Sequence, residues 1–187
     1  MSETAPGPPV GSDELASGHE VIHLRLPEHF EAFYLRELPS LVALARALAG
    51  SQGTAEDLAQ EAMIAAFRRW DEVARLDIPA AWVRRVCANL ATSHLRRRGV
   101  ETRALLRLGG RRQQHTELAP ADDAFWAAVR KLPRRQAQVI ALHYVYDMYV
   151  SDIALTLECS ESTVKVHLVR GRSALAKRLG LAEGDQS

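Results

Sequence analysis

A chain of 187 residues that is 47% hydrophobic, 25% charged and 6% aromatic can bury one or two modest cores but not a large catalytic barrel. No run approaches the roughly 20 consecutive apolar residues of a membrane span, and Met1 to His19 lacks the basic start and apolar middle of a signal peptide, so a cytoplasmic protein is expected. The formal net charge of +1, taken whole, argues against a nucleic-acid binder.

Residues 1–27 are rich in Pro, Gly, Ser and Glu without sustained periodicity, the composition of a disordered tail. From Glu28 to Ala49, Phe30, Phe33, Tyr34, Leu38, Leu41, Val42, Ala45 and Leu48 keep a helical spacing, with Pro39 as a kink or break. Thr54, followed by Ala55, Glu56 and Asp57, has the pattern of a capping box and predicts a helix from Ala55 to about Trp70. Leu58, Ala62, Met63, Ala66, Phe67 and Trp70 form its apolar stripe, which leaves Asp57, Gln60, Glu61 and Arg68 for solvent or a partner.

Asp71 to Ile78 reads as a short polar connection, and Pro79 suits the first turn of a helix running to about Arg98. Trp82, Val83, Val86, Cys87, Leu90, Ala91 and Leu95 are its buried stripe, while Arg85, Asn89, Thr92 and Arg96 recur on the opposite side. Three such helices close a small all-α domain over 28–98. Residues 99–120, with paired glycines and many arginines, read as a flexible basic linker whose 22 residues reach at most about 70 Å, or two turns of B-DNA.

A second domain is expected over 121–179. Asp122 and Asp123 suit a helix start, Pro133 ends that helix, and another begins near Arg134. Two periodic segments, Tyr149 to Leu157 and Glu161 to about Leu179, are separated only by Glu158, Cys159 and Ser160, the signature of a helix-turn-helix. In the last helix Val164, Leu168, Leu175 and Leu179 face inward; Ser162, Val166, Val169, Arg170 and Ser173 face outward, flanked by Thr163, Lys165, His167 and Arg172. With Ser160 as N-cap, Ser162 and Lys165 lie where a recognition helix reaches base edges. Residues 180–187 form a tail.

The charge is distributed in opposed blocks. Residues 1–62 sum to −7, residues 68–112 to +8 and residues 130–178 to +5. Such a chain presents an acidic surface to one partner and basic surfaces to a polyanion. Cys87 and Cys159 have neither metal-ligand spacing nor a disulfide pattern and read as small buried hydrophobes, and no nucleophile set or carboxylate cluster supports a nuclease or recombinase. No metal, cofactor or catalytic residue is expected.

Several motifs in order resemble the bacterial sigma-70 family of RNA polymerase sigma factors, specifically its small extracytoplasmic-function (ECF, group 4) subclass. Glu56 to Glu61, "EDLAQE", is similar to region 2.2, and "WVRRVCANLATSHLRRR" from Trp82 to Arg98 to regions 2.3 and 2.4. "LPRRQAQVIALHY" from Leu132 resembles region 4.1, and "DIALTLECSESTVKVHLVRGRSAL" from Asp152 resembles region 4.2. The resemblance spans about Glu28 to Leu179. It implies that Asp57, Leu58, Gln60 and Glu61 bind core RNA polymerase at the β′ clamp, the β subunit being a further contact. It also implies that Arg84, Arg85, Arg96 and Arg97 hold the backbone of the −10 promoter DNA while Asn89 contacts a base, next to a loop at Asp71 to Ile78 that captures a flipped base. The −35 element falls to Ser162, Thr163, Lys165, Val166, His167, Val169, Arg170 and Arg172. The implied function is promoter-specific transcription initiation at the nucleoid, not enzymatic, with strand opening drawn from binding energy. An anti-sigma factor is a further partner of the kind the family has.

Three positions depart from the family pattern: Ser93 replaces an acid, Gly171 an alanine, and Tyr149 a capping serine, which shifts the expected cap to Asp147. "STVKVHL" is also similar to the DNA-binding domain of LuxR-type response regulators, which would bind operator DNA without polymerase. The first half lacks the alternating β/α pattern of a receiver domain, which favours the sigma-factor reading.

Overall fold

The computed structural model describes residues 29–107 and 121–181, with side chains described over 29–100 and 124–181. The expected N-terminal tail, the 108–120 part of the expected linker and residues 182–187 lie outside the described residues. The chain folds as α1 (Phe30–Ala49), α2 (Gln52–Phe67), α3 (Trp70–Val73), α4 (Pro79–Arg107), α5 (Ala121–Val129), α6 (Arg134–Tyr146), α7 (Val150–Leu157) and α8 (Glu161–Leu179). This is the expected all-α class, two small helical domains, with no strand among the described residues.

The first domain is built on α1. Phe33, Leu41, Leu44 and Leu48 are fully buried and meet Leu58, Ala62 and Met63 of α2 and Val83, Cys87 and Ala91 of α4. Alanines at 55, 59, 62 and 66 let α2 approach α1 closely. Pro39 does not break α1: the missing amide costs one ladder bond, and the apolar residues on either side hold the helix against the core.

The capping expectation at Thr54 is corrected. Gly50, at φ 98, ends α1 and delivers the chain directly to Ser51, whose hydroxyl accepts from the Thr54 amide at 3.3 Å, so α2 begins at Gln52. The segment after α2 is not wholly a connection either, because Trp70–Val73 makes a helical turn that buries Val73. Trp70 lies 5.2 Å from Phe30 and 4.8 Å from Phe33, ring centre to ring centre, closing that end of the core. Phe67, expected on the buried stripe, is 62% exposed.

Helix α4 continues past Arg98 and Gly99 to Arg107, into the expected linker. A single internal glycine costs only about 1 kcal/mol of helix stability, and the arginines, leucines and alanine around it favour helix.

In the second domain Val129, Ile140, Leu142, Ile153, Leu157, Val164 and Leu175 form the core. Asp147 adopts a left-handed conformation (φ 51) as the C-cap of α6, so it does not cap α7; Tyr149 occupies that N-cap without a side-chain bond. The turn Glu158, Cys159, Ser160 falls where the sequence places it, and the Ser160 hydroxyl accepts from the Thr163 amide at 3.2 Å. Gly171 is buried, and a Cβ there would stand 3.0 Å from Ile140 Cγ1, so its smallness sets how closely α8 crosses α6.

The two domains do not stand apart. Helix α1 packs on α5 and α6, and α4 packs on α6 and α7, so that buried residues of both domains belong to one continuous core.

Candidate functional site

The acidic face of α2 is open. Asp57, Gln60 and Glu61 are exposed, and Asp57 is freed from capping because Ser51 does that work. Leu58 points the other way, 6% exposed within the core. Beside Gln60, Phe30, Tyr34, Met63, Ile64 and Phe67 line a shallow apolar groove, with Ile64 49% exposed. Ile64 and Phe67 follow Gln60 at i+4 and i+7, so one helix face joins acids to apolar anchors. Sequence reading missed this extension, since helical periodicity assigned Phe67 to the core.

The polar stripe of α4 has a different fate. The Arg84 guanidinium turns inward, donating to Glu37 Oε2 at 2.9 Å, with Glu37 buried and also paired with Arg36; it lies 4.5 Å from the centre of the Tyr146 ring. Burial pushes the Tyr146 phenol above its ordinary range. Arg85 forms an ion pair with Glu158 in the helix-turn-helix turn. Its own pKa is lowered, first by burial and then by the like charge of Arg135. The Asn89 side-chain oxygen accepts from Arg134 at 2.6 Å and from Gln138 at 2.9 Å.

Thr92, expected on the outward face, is 7% exposed and accepts from Gln138 at 3.3 Å while donating to the Ala88 carbonyl at 2.7 Å. Arg96 and Arg97 stay exposed. The loop before α4 carries exposed Leu76 and Ile78, and these join Trp82, Arg85, Leu155 and Glu158 around a crevice between the domains. Trp82 is half-buried against the core, as its place on the apolar stripe predicts.

On α8 the outward positions are brought together. Ser162, Thr163, Lys165, Val166, Val169 and Arg170 are all exposed, and His167 is half-buried. Arg172 is also exposed but faces back toward α6: its guanidinium donates to His143 Nε2 at 2.8 Å and lies 5.9 Å from the Tyr144 ring centre. The other His143 nitrogen donates to the Met148 carbonyl at 3.0 Å, which leaves Nε2 as an acceptor in the neutral ring. Two apolar side chains, Val166 and Val169 (45% and 68% exposed), stand among the basic ones.

Among the described residues no group of His, Cys, Asp and Glu could hold a metal ion, and no helix is long and apolar enough to cross a membrane. Cys87 is buried, its thiol pushed up to about 12 by desolvation, and Cys159 is half-buried.

Comparison with known proteins identifies both halves of the chain. Residues 33–100 match the family model of sigma-70 region 2, and residues 122–175 that of sigma-70 region 4. The chain is 30% identical over 126 residues to an RNA polymerase sigma-E factor of Streptomyces antibioticus, covering 67% of this chain and 70% of that one. It is 29% identical over 152 residues to the ECF RNA polymerase sigma factor EcfG of Rhodopseudomonas palustris, covering 78% and 82%. Among solved structures it is similar to the sigma factor RpoE of Bartonella quintana, determined in complex with the anti-sigma factor NepR. That match has a TM-score of 0.63 and 26% identity, over 82% of this chain and 98% of the other.

Proposed function

This chain belongs to the sigma-70 family of RNA polymerase sigma factors, in its extracytoplasmic-function group, and from that premise we propose how its own residues divide the work of directing core RNA polymerase to promoters. The acidic face Asp57, Gln60 and Glu61 docks on a basic surface of the polymerase clamp. Leu58 supports it from behind, and Ile64 and Phe67 supply the buried anchor. Charges at such an interface mainly set orientation and on-rate, whereas apolar side chains at its centre supply most of the affinity. Arg85, Arg96 and Arg97 hold −10 phosphates and Asn89 reads a base; Arg84, tied to Glu37, serves as the support of that face. Ser162, Thr163, Lys165, Val166, His167, Val169 and Arg170 meet the −35 element, with Arg172 at the edge of that surface.

The protein acts as a DNA-recognition subunit without chemistry of its own, in the cytoplasm where the polymerase and nucleoid are. An anti-sigma factor fits as a partner, because the similar RpoE of Bartonella quintana is held by one. The observation that supports this reading best is the pairing of an open acidic-and-apolar face on α2 with an open basic recognition helix on α8. The domain matching region 2 leaves an operator-binding activator of LuxR type unfavoured.

Run-off transcription with purified core enzyme should depend on this chain. The double substitution D57K/E61K is expected to weaken core binding by at least tenfold in a pull-down or anisotropy titration, with unchanged circular dichroism. Undiminished binding would remove the clamp assignment.

A further inference from the structure

Cations gather along two adjoining crevices, and of these cations only Arg96 belongs to the −10 face. The first crevice, of about 690 Å³, lies between the C-terminal part of α4 and the turn from α5 to α6. Arg96, Arg130, Lys131 and Arg134 line it, together with the buried leucines 48 and 132. The second, of about 370 Å³, lies between the end of α1 and the neighbouring faces of α5 and α6. Arg46 and Arg130 line it together with the rings of Trp126 and Tyr144. Arg130 is common to both, and its Nη1 donates to the Ala47 carbonyl at 3.3 Å, which sets the direction of the guanidinium.

Among the described residues no acid lines either crevice. Like charges gathered in a recess with apolar walls focus a field that attracts an anion. The rings narrow the choice of anion. Trp126 packs edge-on against Phe125 at 4.9 Å between ring centres, and Phe125 packs likewise against Tyr144 at 5.5 Å, so both rings are held in place. Tyr144 is exposed and Trp126 half-buried, which leaves ring surface for a planar group.

An acidic peptide would use the cations alone. A nucleotide uses both features, because its phosphates take guanidinium donors and its base stacks on aromatic side chains. Each crevice also falls within the range of about 300–1,000 Å³ of small-molecule sites, which favours a single nucleotide over a long strand. We propose that the two crevices form one binding site for a nucleoside di- or triphosphate. Arg130, Lys131 and Arg134 hold its outer phosphates, Arg46 the phosphate next to the sugar, and Trp126 and Tyr144 the base.

The test titrates the full chain with ATP, GDP and inorganic pyrophosphate by calorimetry. Arg46, Lys131 and Tyr144 are exposed, so R46E, K131E and Y144L spare the core, and circular dichroism checks this. The parent chain should bind both nucleotides more tightly than pyrophosphate. R46E and K131E should each weaken nucleotide binding about tenfold, the size of one charge-assisted bond, and K131E should weaken pyrophosphate as well. Y144L should weaken the nucleotides about fivefold, one stacking contact, and leave pyrophosphate unchanged.

No binding at about 1 mM nucleotide would overturn the proposal, as would affinity that R46E and K131E both leave intact. Equal affinity for pyrophosphate and nucleotide, insensitive to Y144L, would make the crevices a plain anion site and overturn the nucleotide assignment. A short thymidine oligonucleotide that displaces ATP at lower concentration than GDP does would overturn it in favour of a strand groove.

Discussion

Glu37 carries a charge into a nearly dry environment. Its side chain and that of Arg84 are 8% and 20% exposed, and they face one another across α1 and α4. Leaving one buried charge without its partner costs about 3–5 kcal/mol. E37A is therefore expected to lower unfolding stability by about 3 kcal/mol in urea titrations, and E37L/R84L to recover most of that loss. Periodicity could not reveal this pair, because Arg84 lies among the exposed arginines of α4 by sequence and only Glu37, 47 residues away, turns it inward.

Cys87 behaves oppositely, since sequence placed it correctly as a small buried hydrophobe. Its folded thiol stays protonated to about pH 12 against 9.0 for the ordinary group. The unfolded chain thus releases a proton that the folded chain retains, and stability contributed below pH 9 is lost as pH rises above it. C87A should flatten the fall of stability between pH 9 and 11, a slope of up to about 1.4 kcal/mol per pH unit for one proton.

At the scale of elements, both well-capped helix starts are instructive. Ser160 was legible because three residues alone separate two periodic segments, leaving no other cap. S160A is expected to cost about 1 kcal/mol in denaturant unfolding and to weaken −35 duplex binding by loosening the first turn that carries Ser162 and Lys165. At α2 two hydroxyls competed, Ser51 and Thr54, and the capping-box spacing pointed to the wrong one. Where α1 ended decided it: Gly50 in a positive-φ conformation admits Ser51 as the cap and places Thr54 inside the first turn. The extension of α4 through Gly99 has the same character, because a composition suited to a linker also suits a helix when most of its residues are arginine, leucine and alanine.

For the whole molecule, Gly50 links the domains. Its φ of 98 disfavours any side chain, and a Cβ there would stand 3.1 to 3.4 Å from the Arg130 side chain, whose Nη1 donates to the Ala47 carbonyl at 3.3 Å. G50A should cost about 1–2 kcal/mol of stability from the backbone alone. Its effect should be less than additive with that of R130A in urea unfolding, because the added Cβ presses on the Arg130 side chain; full additivity would place the effect of G50A in α1 only.

The sequence by itself determined the longer helices and most of their buried stripes, the acidic face of α2, the outward face of α8 and, through the order of its motifs, the family. These are local properties, written in spacings of three and four residues. What only the tertiary structure decided is what covers the polar stripe of α4. A stripe of Arg85, Asn89 and Thr92 has the same periodicity whether water, DNA or another domain lies against it, and the choice rests on Gln138 and Glu158, residues that meet it only after the chain has folded back on itself.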